Sequence, residues 1–371
     1  MTADVWATPF VFINNGYYEY TDTTYSEVGL VNLAVREFLN TGSRAVGNSD
    51  LGRFTPAYFK QTIKEAGAIT ANHGGAGTCL AQSWVYSGQQ TAGSGSIKYA
   101  VEPILTVTAY NGEDNVTQNY IDNYVKLINS NIDLLAPVST HANALPLTAN
   151  IATDGSLTEI GAGVLEYELS NLHHFTYTRN AASVIAPFTA AFEIPIAQIT
   201  DSDGIQLQPS FGGTDYFVNP SFSSGVEVKF GRWFVENSFG PETSNLVQPM
   251  YAQYLANSGQ YVANSDDNCS VISTASNELI LTDGTLDKDL SGFNTITTLL
   301  SGGVNRSIEL NAPNSQGDIN LEYSVPAWFQ FDWSNIDGSN DGPFSENPKA
   351  VATFGLYRGN DRIISWREVG N

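Results

Sequence analysis

Residues 323–369, YSVPAWFQFDWSNIDGSNDGPFSENPKAVATFGLYRGNDRIISWREV, decide the fold class. Tyr323, Val325, Ala327, Phe329, Phe331 and Trp333 alternate with Ser324, Pro326, Gln330 and Asp332. A period of two is the pattern of a strand with one face on a core. Pro326 has no N–H for a ladder, so its strand stands at a sheet edge or is only beginning to pair there. Val351–Tyr357 and Arg362–Val369 are two more apolar runs, and Gly359-Asn360 between them suits a tight hairpin loop. The stretch therefore predicts an antiparallel meander.

Working back from this end, short β-branched and aromatic runs recur throughout, separated by Gly, Asn, Asp and Pro. With 33 Gly, 12% aromatic and only 15% charged residues, the chain reads as all-β. The expected architecture is tandem antiparallel β-sandwiches of the immunoglobulin-like, Greek-key kind with few short helices, although the Cys…Trp…Cys spacing of immunoglobulins is absent. Three units are expected. Residues 1–60 form an N-terminal β unit, 61–210 a β-sandwich and 211–371 a C-terminal sandwich ending in the meander. Within the second unit, residues 60–69 read as a short helix and 120–128 as a short helix or irregular turn, and strands are expected at 83–86, 104–110, 163–169, 175–179 and 188–199. In the third, 226–235 alternates well.

The formal net charge is −22, from 38 acidic and 16 basic residues. That balance argues against nucleic acid and anionic membrane surfaces, which both need a basic footprint. No apolar run approaches the roughly 18 residues that span a bilayer, so membrane insertion is not expected. No basic and apolar leader follows Met1.

Chemistry has few footholds. Cys79 and Cys269 are the only cysteines, and His73, His141, His173 and His174 lack zinc spacing. The two cysteines are expected to pair in a disulfide tying two domains together. In the chain-entropy view, closing a loop of about 190 residues contributes at most roughly 5 kcal/mol. Asp287-Lys-Asp289-Leu-Ser291-Gly292 resembles the opening of a calcium loop, but Thr298 stands where an EF-hand has its bidentate Glu, so only a looser Ca2+ site of Asp283, Asp287 and Asp289 remains as a candidate. No other cofactor is expected. Asp201-Ser-Asp203-Gly204 and Asp266-Asp267-Asn268 are similar acidic turns. The glycines of HGGAGT, 73–78, lack the G-K-[ST] ending of a phosphate cradle. There is no G-x-S-x-G elbow, and Glu166 with Glu168 is a carboxylate pair that a chain this acidic produces by chance. No catalytic residue is assigned. Arg358, Asp361, Arg362, Arg367 and Glu368 gather at the last hairpin, where alternating charge pins register. Trp328, opposite Phe329, is the candidate stacking surface for a sugar or partner protein.

VPAWFQFDW followed by ATFGLYRGNDRIISWREV resembles the terminal signature of the conserved C-terminal domain of MSHA (mannose-sensitive haemagglutinin) pilus biogenesis protein MshQ and related bacterial surface proteins. YSEVG at 25–29, LGRFTPAYF at 51–59, LTVTAYNGEDNVTQNY at 105–120, ITDSDGI at 199–205 and VKFGRWFVENSFG at 228–240 resemble that family's motifs in the same order. Arg53, Trp333, Arg358, Asp361, Arg362 and Trp366 fall within these motifs as structural positions. The resemblance implies part of a longer secreted precursor at the bacterial surface. There it would serve a type IV pilus of the MSHA kind, as assembly component, stalk or tip adhesin, with pilus subunits, other surface proteins or a glycan as partners. A secreted carbohydrate-active enzyme and a purely structural filament subunit are the alternatives.

Overall fold

The computed structural model describes residues 11–355 apart from short interior stretches, the longest of them 74–82 and 335–342. The chain is all-β, built as tandem antiparallel sandwiches; the helices among the described residues are single 3-10 turns. None is long and apolar enough to cross a membrane.

The first sandwich is made by folding a ribbon across its middle. Tyr58–Glu65 continues as Ala68–Ala71, Ile97–Val101 as Ile104–Tyr110, Leu147–Asn150 as Ser156–Gly161, and Val164–Glu168 as His174–Tyr177. The strand order is the same before and after the bend: the third of these chain segments pairs with the fourth, the fourth with the second and the second with the first, all antiparallel. Strands that pass from one sheet to the other through a bend make the corner of such a sandwich. Gly67 sits at the bend with φ +76°, and a Cβ there would lie 2.8 Å from Pro103 Cγ and 2.9 Å from the Val101 carbonyl oxygen. The turn therefore requires glycine on one strand where proline ends pairing on the next. Alternating residues from both halves meet in one core, including Phe59, Ile69, Ile97, Leu105, Val107, Leu165, Tyr167 and Phe175.

The second sandwich faces Gly231–Val235, Met250–Leu255 and Tyr261–Ala263 against a sheet ordered Ser238–Gly240, Lys349–Phe354, Gly317–Tyr323, Leu279–Asp283. Gly317–Tyr323 buries every second residue. Its core joins Trp233, Met250 and Ala252 of one sheet to Ile319, Leu321, Ala352 and Phe354 of the other. Ahead of both, Gly29–Phe38 pairs with Arg44–Phe54 as a long hairpin that leaves Leu30, Leu33, Val35, Val46 and Leu51 exposed.

Two local expectations are corrected. Residues 60–69, expected as a helix, are parts of two strands either side of the Gly67 bend: Lys60–Glu65 pairs with Ile104–Thr108, and burial of Phe59 and Gln61 beneath the sandwich outweighs the helical pattern. The strand expected from Tyr323 to Trp333 ends at Tyr323, because Pro326 precedes a single 3-10 turn at Ala327–Phe329. Val325, Phe329 and Phe331 are nonetheless buried as the alternation suggests, while Ala327 is exposed. Residues 120–128 contain a 3-10 turn, Asp122–Tyr124. Val351–Phe354 lies in a strand, and the closing hairpin lies outside the described residues.

Candidate functional site

The two cores share a wall. Trp84–Tyr86 runs parallel to Glu227–Lys229, with Trp84 opposite Glu227, Val85 opposite Val228 and Tyr86 opposite Lys229. Side chains alternate across a strand. Here the alternation sends Val85, Val226 and Val228 into the first core and Trp84 and Tyr86 into the second. All are nearly or fully excluded from solvent.

Lys229 follows Trp84 and Tyr86 to the second side, and its side chain is only 3% exposed. Its Nζ donates to Asn264 Oδ1 at 3.1 Å and to Asp266 Oδ2 at 3.3 Å, with Glu227 Oε2 at 3.4 Å. The ring centroids of Tyr254 and Trp84 lie 4.6 and 5.4 Å from it. The Tyr86 hydroxyl accepts from Asn264 Nδ2 at 2.9 Å and donates to Asp267 Oδ2 at 3.0 Å. Asp267, fully buried, also accepts from the Ser270 hydroxyl and from the N–H groups of Cys269 and Ser270. Burial, then the charge of Asp267, raises the Tyr86 phenol well above its ordinary value.

One arginine crosses the junction and a second lies beside it in the second sandwich. Arg179, from the first sandwich, donates to the carbonyls of Trp328 and Gln330 in the second. Its guanidinium carbon is 4.1 Å from the Phe230 ring centroid and 5.7 Å from that of Phe344. Arg232 lies 3.3 Å from the Tyr261 ring centroid, near Phe331 and Trp333, and donates twice to Gln253 Oε1 at 2.8 and 3.0 Å. Burial lowers both guanidinium groups to about 10, which still leaves them cationic at neutral pH. A cation stacked on ring faces and hydrogen-bonded to acceptors of another segment clamps the two together.

The sequence-derived candidates fall elsewhere or at the margin. Trp328 is half-buried against the second core, and its carbonyl is held by Arg179, so it belongs to the junction more than to an open stacking face. Trp333 is half-buried 5.3 Å from Phe331 between ring centroids. Arg53 forms an ion pair with Asp203, in a turn where Asp201 Oδ1 accepts from the N–H groups of Asp203 and Ile205. Asp287 caps a 3-10 turn by accepting from Asp289 N, and Asp283 Oδ1 accepts from Lys288 N. Among the described residues no three His, Cys, Asp or Glu side chains converge as a metal site. Cys269 is buried in the second core and is not a free cysteine. Cys79, Arg358, Asp361, Arg362 and Trp366 lie outside the described residues. Glu166 is paired with Lys64 at 2.7 Å.

A polar depression of about 420 Å3 opens over Asp133, Asn150, Asp154 and Tyr167. Tyr167 is buried, and its hydroxyl accepts from Gly155 N at 2.7 Å, so the depression has no aromatic platform there for a sugar. Sequence reasoning missed Trp84, Tyr86, Arg179, Lys229, Arg232 and Asn264. Of this network it singled out only the acidic turn at 266–268.

No curated protein sequence matches the chain. Among solved structures, the Escherichia coli adhesin FdeC superposes with a TM-score of 0.22 at 12% identity, over 82% of this chain and 66% of that one. The Yersinia pseudotuberculosis adhesin InvE gives 0.20 at 13%, over 79% and 58%. The chain thus spans less than two thirds of either, and superpositions this loose carry no argument. Residues 27–223 match the third domain of DUF6701 and residues 229–369 the fourth, a family description that names neither an activity nor a pilus. On those two matches, which meet at the shared wall, the chain belongs to the DUF6701 family.

Proposed function

We propose that this chain is a rigid, non-enzymatic segment of an extracellular bacterial surface protein, acting as a stalk or assembly platform rather than a catalyst. The observation that carries the reading is the wall: one strand pair belongs to two cores, so the tandem sandwiches have no free hinge at that point. Arg179 reaching across to two carbonyls adds a second fixed point. A segment that transmits position or load between other modules needs such a joint, whereas flexible beads on a string would not provide it. The resemblance of motifs along the sequence to the MSHA pilus protein MshQ supports placing that platform in a type IV pilus system. Its partners would then be pilus subunits or neighbouring surface proteins, with a surface glycan as the ligand if the segment stands at an exposed tip. The acidic balance of −22 disfavours nucleic acid as a partner.

Gold-labelled antibodies against the chain, applied to source cells and to a strain lacking the gene, test the placement. Label on pili supports it. Label in the medium or elsewhere on the envelope, and on no pilus, overturns the pilus part. Small-angle scattering of the isolated chain tests rigidity, and a scattering curve that requires two freely jointed bodies overturns the stalk.

A further inference from the structure

Lys229 and Asn264 stand out because their surroundings serve no need of the fold that simpler residues would not meet. A buried ammonium is costly unless paired, and an apolar residue facing Trp84 and Tyr254 would fill the same space without that cost. Instead the amine lies in direct contact with a carboxamide, Nζ to Oδ1 3.1 Å, with Lys229 3% exposed and Asn264 fully buried. Asn264 is locked in place. Its N–H donates to the Ala252 carbonyl, its own carbonyl accepts from Asp267 N, and Gly303 packs so closely that a Cβ there would come within 2.5 Å of the Asn264 carbonyl oxygen. Amine and amide held together away from water have a very high effective concentration, which offsets the low reactivity of an amide.

We propose that Lys229 and Asn264 join in an intramolecular isopeptide bond. Lys229 Nζ, after passing one proton to the adjacent Asp266 carboxylate, attacks Cγ of Asn264. A new Nζ–Cγ bond forms and the Cγ–Nδ2 bond breaks. The proton that Nζ sheds as the amide forms is taken up by the departing nitrogen, while the Tyr86 hydroxyl, accepting from Nδ2 at 2.9 Å, holds the carboxamide in orientation. Ammonia leaves and recovers the first proton as ammonium, so atoms and charge balance and no oxidant or co-reactant is consumed. Asp267 holds the Tyr86 hydroxyl in position, and Asp266, half exposed, opens the site to solvent on the side where ammonium departs. The reaction is favoured because a buried cation is replaced by a neutral amide. The bond would tie the shared wall to the segment that follows Tyr261–Ala263.

The test is mass spectrometry of the whole folded chain, reduced before measurement. The expected mass is below the sequence mass by one ammonia. A tryptic digest should yield a branched species joining residues 180–232, uncut after Lys229, to residues 233–288. Lys229→Arg should show the full mass and no branched species. Full mass in the unaltered chain, with residues 180–229 and 233–288 recovered as separate peptides, overturns the proposal. Persistence of the ammonia loss in Lys229→Arg overturns it too, since that would mark cyclisation at an asparagine.

Discussion

Adjacent residues on the shared wall report on opposite cores, and this gives a sharp prediction. Trp84 lies within the stretch that matches the third domain, yet it packs in the core of the fourth. Truncating a fully buried tryptophan costs about 3–5 kcal/mol, because the cavity is only partly refilled. If the wall is read correctly, Trp84→Ala withdraws that amount from the second sandwich. Amide hydrogen exchange measured across the whole chain reads it directly: protection in Met250–Leu255 should fall by roughly two to three and a half orders of magnitude, at about 1.4 kcal/mol per decade. Val85→Ala, one residue on, removes two buried methyl groups facing the first core and should cost about 2–3 kcal/mol there. Its larger loss of protection should appear in Ile104–Tyr110. The crossed pattern is the signature. Unchanged protection of Met250–Leu255 in Trp84→Ala, with loss confined to Ile104–Tyr110, would refute the assignment of faces and the shared wall with it.

Arg179→Lys keeps the charge but gives up the planar fork that reaches two carbonyls while stacked on Phe230, and should lower urea-unfolding stability by about 1–3 kcal/mol; an unchanged midpoint would remove Arg179 from the clamp. Gly67→Ala puts a side chain at φ +76° against Pro103 and the Val101 carbonyl, and about 1–3 kcal/mol of strain should appear as a lower melting temperature. Burial, and secondarily Lys98, hold His174 below the ordinary histidine value, so the unfolded chain takes up that proton at higher pH than the folded one. Stability from this group is therefore lost as pH falls through about 6.5, and His174→Gln should show a shallower decline of the urea midpoint below that pH than the unaltered chain.

What could be read in advance followed from periodicity, and what could not depended on which segment lies across from a strand. The alternation from Tyr323 onward gave the buried positions Val325, Phe329 and Phe331, even though the backbone there leaves the strand after Pro326. The same rule fails at Trp84-Val85-Tyr86, where every residue is apolar. Such a run announces burial on both faces but is silent about whether the two faces meet one core or two. Lys229 shows the converse limit. Within an alternating strand a lysine reads as the solvent side, and only Trp233, in phase with it four residues on, hints otherwise. It is interior only because Trp84, Tyr254 and Asn264, brought from three distant segments, close over it. The residues that make this junction distinctive are thus ordinary in their local context. Their chemistry is created by long-range register, and a register one residue out on the wall would send Lys229 to the valine side and dissolve the site.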